Sequence, residues 1–240
     1  MSLPVFLADD LTGERVVLRG AEGRHAARVR RLDVGEAVQL VDGRGTRVTG
    51  AVVELGRDTL TVDVRERAFE PVAVPRLVLV QALAKGDRGE LAVELATEVG
   101  VDEVVPWAAS RCVVRWEGER GAKARSRWQS AAREAAKQSR RSWVPEVTDP
   151  VSTAGLVARL HAGGGVVLHQ GAAARLTSLP LPVTAELLLV VGPEGGISDE
   201  ELALLTGAGA AAVRLGASVL RTSTAGAVAA AVLSARTGRW

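Results

Sequence analysis

Two glycine-containing stretches carry the residues whose types and spacing point most directly to chemistry. The first is Gly192-Pro193-Glu194-Gly195-Gly196-Ile197-Ser198. Its three glycines allow close approach to a ligand and positive φ, and Pro193 removes one amide donor while stiffening the turn. A phosphate loop would need Gly-Lys-Ser/Thr or GxGxxG spacing, and neither is present. Glu194 would itself repel a phosphate, so the loop suits a cationic or hydroxyl-bearing ligand better. The second stretch runs from Leu215 and Gly216 through Ala217, Ser218, Val219, Leu220, Arg221, Thr222, Ser223 and Thr224 to Ala225. It offers helix-start N–H groups beside apolar Leu215, Val219 and Leu220, a slot that suits an adenine ring and a hydroxylated sugar. One of Thr222, Ser223 or Thr224 is expected to cap the helix. Two plainer readings stand beside these: a tight βα turn with no ligand, and close packing of a buried helix thinned by Gly226, Ala227, Ala229, Ala230 and Ala231.

Both stretches follow apolar runs of the kind expected for buried parallel strands. Leu77 to Ala82, Asp102 to Trp107, Gly165 to His169, Glu186 to Val191 and Ala211 to Leu215 read as strands. Helices are expected from about Asp87 to a stop at Gly100, with Leu91, Leu95 and Val99 as the apolar stripe, and over 126–140, 198–205 and 222–236. Ser198 and Glu201 have capping-box spacing. Alternating β and α elements predict an α/β fold with a parallel sheet covered on both faces, its ligand at the C-terminal edge of the strands. The first seventy residues differ. Short strand candidates, a basic helix over 22–31 and an Asp42-Gly43 turn predict a small β-barrel. The proline-bounded Glu70–Pro75 stretch marks the boundary between residues 1–72 and 73–240.

The 240 residues carry a net charge of +2, so charge alone does not mark a nucleic-acid binder. Distribution says more, because only Lys85, Lys123 and Lys137 of the thirty basic residues are lysines. Arginine suits bidentate phosphate contacts and base stacking, although arginine-rich coding would also produce the bias. Arg24, His25, Arg28, Arg30 and Arg31 cluster in the first domain. Arg133, Lys137, Arg140 and Arg141 fall on one face of the helix over 126–140, and Arg120, Lys123, Arg125 and Arg127 precede it in a loop-like stretch. A solvated face is the ordinary explanation, and an RNA surface is the functional one. His25, His161 and His169 read as structural. One cysteine, Cys112, and three histidines argue against a disulfide framework and a protein-built zinc site, and no run is suited to a membrane span. Any chemistry then needs an organic cofactor or none.

These stretches, with His25–Leu32, Val41–Gly43, Ala82–Arg88, Ala96–Pro106, Ser110–Val113, Arg127–Gln129, Ala135–Ser139 and Val144–Glu146, occur in the order and spacing of the RsmE family. The chain resembles these bacterial SPOUT-superfamily methyltransferases, which modify N3 of a uridine in small-subunit ribosomal RNA. The resemblance implies a PUA-like RNA-binding domain and an α/β domain with a deep trefoil knot, S-adenosylmethionine as cofactor, no metal, a homodimer and a cytoplasmic location. It places the cofactor against Leu168, His169, Gly192, Pro193, Glu194, Gly195, Gly196, Leu215, Gly216, Val219, Leu220, Arg221, Thr222, Thr224 and Ala225. Ser223 departs from the acidic residue common there, and Ala225-Gly226 from an alanine pair. Arg221, with Arg111 and Arg88 behind it, is the expected stabiliser of charge on the uracil, and Glu194 a candidate proton acceptor. Arg24, Arg28, Arg30, Arg31, Lys85, Arg88, Arg133, Lys137 and Arg140 are the expected RNA contacts. A SPOUT enzyme acting on transfer RNA and a non-catalytic ribosome-assembly factor are the rival readings.

Overall fold

The computed structural model describes residues 3–240, which form two compact units. The first takes in the chain up to Val72 together with Ala136–Val144; the second comprises Ala73–Ala135 and Pro145–Trp240.

In the first unit, β1 (Val5–Leu7), β2 (Arg15–Leu18), β3 (Ala37–Val41), β4 (Thr46–Leu55) and β5 (Leu60–Phe69) form one sheet in the order β1-β3-β4-β5-β2. Every pair is antiparallel except β1 with β3. Alternation places Leu60 and Val62 in the core with Phe6, Leu18, Val38 and Leu40. Hydrogen bonding leaves the sheet open, with β1 and β2 as its edges, where the turn-rich sequence suggests closure. The expected helix over 22–31 is instead α1 (Gly20–Arg24) followed by a π turn, His25–Val29, that carries Ala26 into the core. Trp143 joins this unit by donating its indole N–H to the Glu70 carbonyl at 2.9 Å.

The second unit holds a wholly parallel sheet of β6 (Arg76–Ala82), β7 (Glu103–Trp107), β8 (Glu146–Val147), β9 (Gly165–Leu168), β10 (Glu186–Val191) and β11 (Ala210–Val213). Its order is β11-β9-β10-β6-β7-β8. The helices are α2 (Arg88–Val99), α3 (Gly118–Gln138), α4 (Thr153–Ala162), α5 (Asp199–Gly207) and α6 (Thr222–Arg236). Period-2 alternation divides the sheet between two helical layers. Val78, Val80, Leu188 and Val190 pack with Leu156 and Leu160 of α4 and Leu205 of α5. Leu79 and Val191 face α6, where a Cβ on Gly226 would stand 2.9 Å from Leu79 Cδ1.

Several elements differ from their sequence expectations for tertiary reasons. The buried face of α2 is Gly89, Ala92, Val93, Ala96 and Thr97, while Leu91 is 41% exposed. Small residues let α2 approach its neighbours: a Cβ on Gly89 would stand 2.6 Å from the Trp128 ring. Helix α3 starts at Gly118, so Arg120, Lys123, Arg125 and Arg127 are helical rather than in a loop. Helix α4, capped by Ser152, gave no sufficient apolar signal. Gly100 does end α2, with φ 109° and the Val101-to-Ala96 bond of a left-handed cap.

At the N-terminal edge of the sheet, Arg159 of α4 joins the carboxylates of Glu103 and Glu186, to which Arg76 also reaches. Those hydrogen bonds outweigh burial and push the Arg159 guanidinium further up from its already high value. Arg239 makes a second anchor, with Nη1 2.7 Å from Asp102 Oδ2 and Nη2 2.8 Å from the Gly100 carbonyl. Both side chains are nearly buried. Removing one partner of such a pair strands the other charge, so Arg239→Ala should lower unfolding free energy by about 3 kcal/mol. Urea denaturation measures this, and a loss below about 1 kcal/mol would show the anchor to be dispensable.

Candidate functional site

Three loops at the C-terminal edge of the parallel sheet wall a cavity of about 710 Å³. The first, 192–198, leaves β10 and enters α5 through Ser198, whose hydroxyl accepts from Glu201 N–H while Glu201 returns the bond. Glu201 also accepts from Ser110 N–H at 2.8 Å, Ser110 Oγ at 2.7 Å and Thr153 Oγ1 at 2.8 Å. Burial is the largest single influence on its carboxyl and pushes it up. The bonds from Ser110, Thr153 and Ser198 together outweigh burial, so Glu201 titrates below its ordinary value. Ser110 is thereby fixed, and the next residue, Arg111, reaches the Gly195 carbonyl at 3.3 Å. Gly196 takes φ 74° and donates to Pro193 O, the tight turn that the glycines made possible.

Glu194 does not project freely into the cavity. Its Oε1 accepts from Arg88 Nη1 at 3.0 Å and from Lys85 N–H at 3.3 Å. Burial alone would raise its carboxyl, but its own backbone N–H, Arg88 and Lys85 hold it below the usual range. It stays ionised at neutral pH and ties the loop to the segment before α2.

The second loop links β11 to α6. Arg221 occupies the N-cap position of α6, and no side chain caps the helix, contrary to the expectation for Thr222, Ser223 or Thr224. The Thr222 hydroxyl instead donates to the Gly192 carbonyl at 2.8 Å and accepts from Gln81 Nε2 at 2.9 Å. Ser223 is buried. Val219 and Leu220 are exposed, as is the Arg221 side chain, which has no hydrogen-bond partner among the described residues. The third loop begins at Leu168; His169 N–H donates to Val213 O, which orients it beside the other two.

Leu168, His169, Gly192–Gly196, Leu215, Gly216, Val219, Leu220, Arg221, Thr222 and Ala225 all line the cavity, as do Arg88 and Arg111. Thr224 does not, because its place on α6 turns it off the wall. Gln81, which holds Thr222 in place, was missed. The only signal was an amide inside an apolar strand; it is fully buried, with Oε1 unpartnered among the described residues. Among the expected RNA contacts, Arg24, Arg30, Arg31, Lys85, Arg133 and Arg140 are exposed. Arg28 is paired with Asp58 at 2.9 Å. Lys137 is not a surface cation: it is 8% exposed and its Nζ lies 2.9 Å from Glu22 Oε1.

The cavity suits a nucleoside-sized organic ligand in volume and in its mixture of glycine backbone, apolar side chains and a few polar groups. Gly216 lines it at ordinary φ, and a Cβ there would meet no protein atom within 4 Å and enter open space. No group of three or more potential metal ligands occurs among the described residues. No helix there is long and apolar enough to cross a membrane.

Residues 71–234 match the family model of an RNA methyltransferase domain, and residues 18–65 that of an RNA methyltransferase PUA domain. Ribosomal RNA small subunit methyltransferase E of Mycobacterium bovis is 47% identical over 98% of this chain and 93% of its own. The protein of that name from Bacillus subtilis is 30% identical over 92% of this chain and 90% of its own. The crystal structure of the Neisseria gonorrhoeae enzyme of that name, bound to S-adenosyl methionine, superposes with a TM-score of 0.87 at 27% identity, covering 98% of each chain. A putative methyltransferase from Legionella pneumophila, solved with its cofactor SAM, gives 0.86 at 28% identity over 98% of each chain. With two domain models in sequence and close to half its residues shared with a full-length relative, the chain belongs to the ribosomal RNA small subunit methyltransferase E family.

Proposed function

We propose that the chain transfers a methyl group from S-adenosylmethionine to N3 of a uridine in the RNA of the small ribosomal subunit. The observation that carries this reading is the three-loop cavity at the sheet edge, within the segment matching an RNA methyltransferase domain. Residues 1–72 would engage RNA and residues 73–240 carry the transfer, with the cofactor against the loop residues named above. The match of residues 18–65 to a PUA domain supports the division of labour.

A trefoil knot belongs to the same reading. The segment between β9 and β10 is tied to Arg214 through Ala174 and Leu176, and Arg236 at the far end of α6 donates to the Leu176 and Leu179 carbonyls. The start of helix α6 is bonded to Gly192 after β10 and its far end to the segment between β9 and β10, contacts in keeping with a threaded chain. The exposed Leu91 and Val228 on the packed α2–α6 pair support a homodimer. A reaction on ribosomal RNA with one free cysteine fits a cytoplasmic enzyme.

The bound cofactor supplies a methyl group already activated by its sulfonium, so the chain need not build a nucleophile. Its residues must orient the uracil and accommodate the negative charge that spreads onto the carbonyl oxygens once N3 loses its proton to solvent water. That Arg221 is exposed at the cavity wall, with no side-chain hydrogen-bond partner among the described residues, supports assigning it to that charge. Arg111 reaches the Gly195 carbonyl and positions the loop. Glu194, ionised and held by Arg88, shapes the same loop. A uridine flipped out of pairing presents N3 to this site.

Labelled methyl transfer to isolated small subunits tests the proposal. Label in their RNA supports it, label only in free transfer RNA overturns the substrate, and no label with no heat of cofactor binding overturns the activity. Arg221→Ala should lower kcat about 100-fold with cofactor affinity nearly unchanged; an unchanged kcat would remove its charge-stabilising role. Gly216→Val should weaken cofactor binding about tenfold or more, because the added methyls overfill ligand space, and leave the melting temperature unchanged. Unaltered calorimetric affinity in that variant would place the cofactor elsewhere.

A further inference from the structure

A second cavity, of about 170 Å³, lies within the first unit against Leu3–Phe6. Its remaining wall is His25, Arg30, Lys137, Gln138 and Arg140, with no acidic side chain lining it among the described residues. The His25 ring stands edge-on to Phe6 at 5.9 Å, which fixes one side. Lys137 forms part of the wall with its charge largely offset by Glu22, so the field in the pocket comes chiefly from the exposed Arg30 and Arg140.

The backbone adds an independent observation. Helix α3 ends in a left-handed cap: Arg141 N–H donates to Ala136 O at 2.8 Å and Arg140 N–H to Lys137 O at 3.2 Å. The residue in the left-handed position is Arg140, φ 59°. Helix α2 closes with the same pair of bonds and puts Gly100 there, the residue that takes this conformation without strain. Arg31, which follows the π turn, is the other described non-glycine residue with positive φ, at 51°. A π turn that begins at His25 and a left-handed Arg140, both in the wall of one small basic pocket, are local departures from unstrained backbone. Such departures gather where a site needs particular side chains aimed in particular directions.

We infer that this pocket seats one backbone phosphate of the RNA, held by the guanidinium groups of Arg30 and Arg140. It has room for a phosphate and a few waters, at about 30 Å³ each, and is too small for a whole nucleoside. The inference rests on the reading of the chain as an RNA methyltransferase and gives its first unit a defined contact. A phosphate seat sets position and register without reading sequence, leaving recognition of the uridine to the cofactor domain.

The full-length chain and its Arg140→Gly and Arg30→Ala variants are titrated against a short fluorescein-labelled oligouridylate at several salt concentrations. Arg65→Ala, an exposed arginine on β5, serves as the charge-matched control. Arg140→Gly should weaken RNA binding about tenfold and make the salt slope shallower by about 0.7. Its melting temperature should be unchanged or about 2 °C higher, since glycine relieves the left-handed arginine. Arg30→Ala should lose RNA affinity similarly, with cofactor binding unaltered in both. RNA affinity within about twofold of the parent in both variants, or an equal loss in Arg65→Ala, overturns the seat. Parent methylation of small subunits separates the two readings: if it persists while the variants bind RNA normally, only the seat fails. If the parent methylates nothing while the variants still lose RNA affinity, the enzyme reading fails and the seat stands.

Discussion

The Thr222 hydroxyl, held between the Gly192 carbonyl and the Gln81 amide, is the contact on which the rest of the candidate site depends. It joins the end of β6, the loop after β10 and the first turn of α6. A hydroxyl can do this because it donates and accepts at once, and a buried bond of this kind is costly to leave unmade. Its position in turn requires α6 to lie flat on the sheet, which Gly226 permits by letting the helix backbone approach Leu79. Thr222 is therefore committed to joining strands and leaves the helix start without a side-chain cap. Arg221, Thr222 and Ala225 of that helix start line the cavity.

Charge is distributed with a matching logic. At the N-terminal edge of the parallel sheet, Arg76, Glu103, Arg159 and Glu186 neutralise one another and close the structure. At the C-terminal edge, Glu194 and Glu201 are both held ionised, but their partners come from loops and helix starts: Lys85, Arg88, Ser110 and Thr153. The carboxylates thus set the shape of the cavity wall, and the Arg221 side chain is left without a hydrogen-bond partner among the described residues. An enzyme whose cofactor already carries the activated group needs this division more than it needs a nucleophile.

What was legible in the sequence was whatever depended on local spacing. Ser198 and Glu201 are three residues apart, so their reciprocal cap follows from helix geometry, and Gly100 ends α2 because glycine alone takes that φ without strain. The apolar runs gave the parallel strands, and the glycine loops after them gave the cavity wall. What was not legible depended on partners distant in the chain. Lys137 reads as part of a basic face until Glu22 covers it, and Leu91 reads as core until smaller neighbours let α2 pack on its alanine side. Gln81 shows the same limit: its role is fixed by Thr222, far along the sequence, and no spacing rule links them. The resemblance to a known family supplied the cofactor, which the physical reading had reduced only to something with an adenine-like ring and hydroxyls.

The central claim is that this chain methylates N3 of a uridine in small-subunit ribosomal RNA. Mass spectrometry of nucleosides digested from that RNA, in cells with and without the gene, tests it most directly. The account predicts that 3-methyluridine disappears from the small-subunit RNA when the gene is absent and returns when it is restored. Undiminished 3-methyluridine in its absence would contradict it.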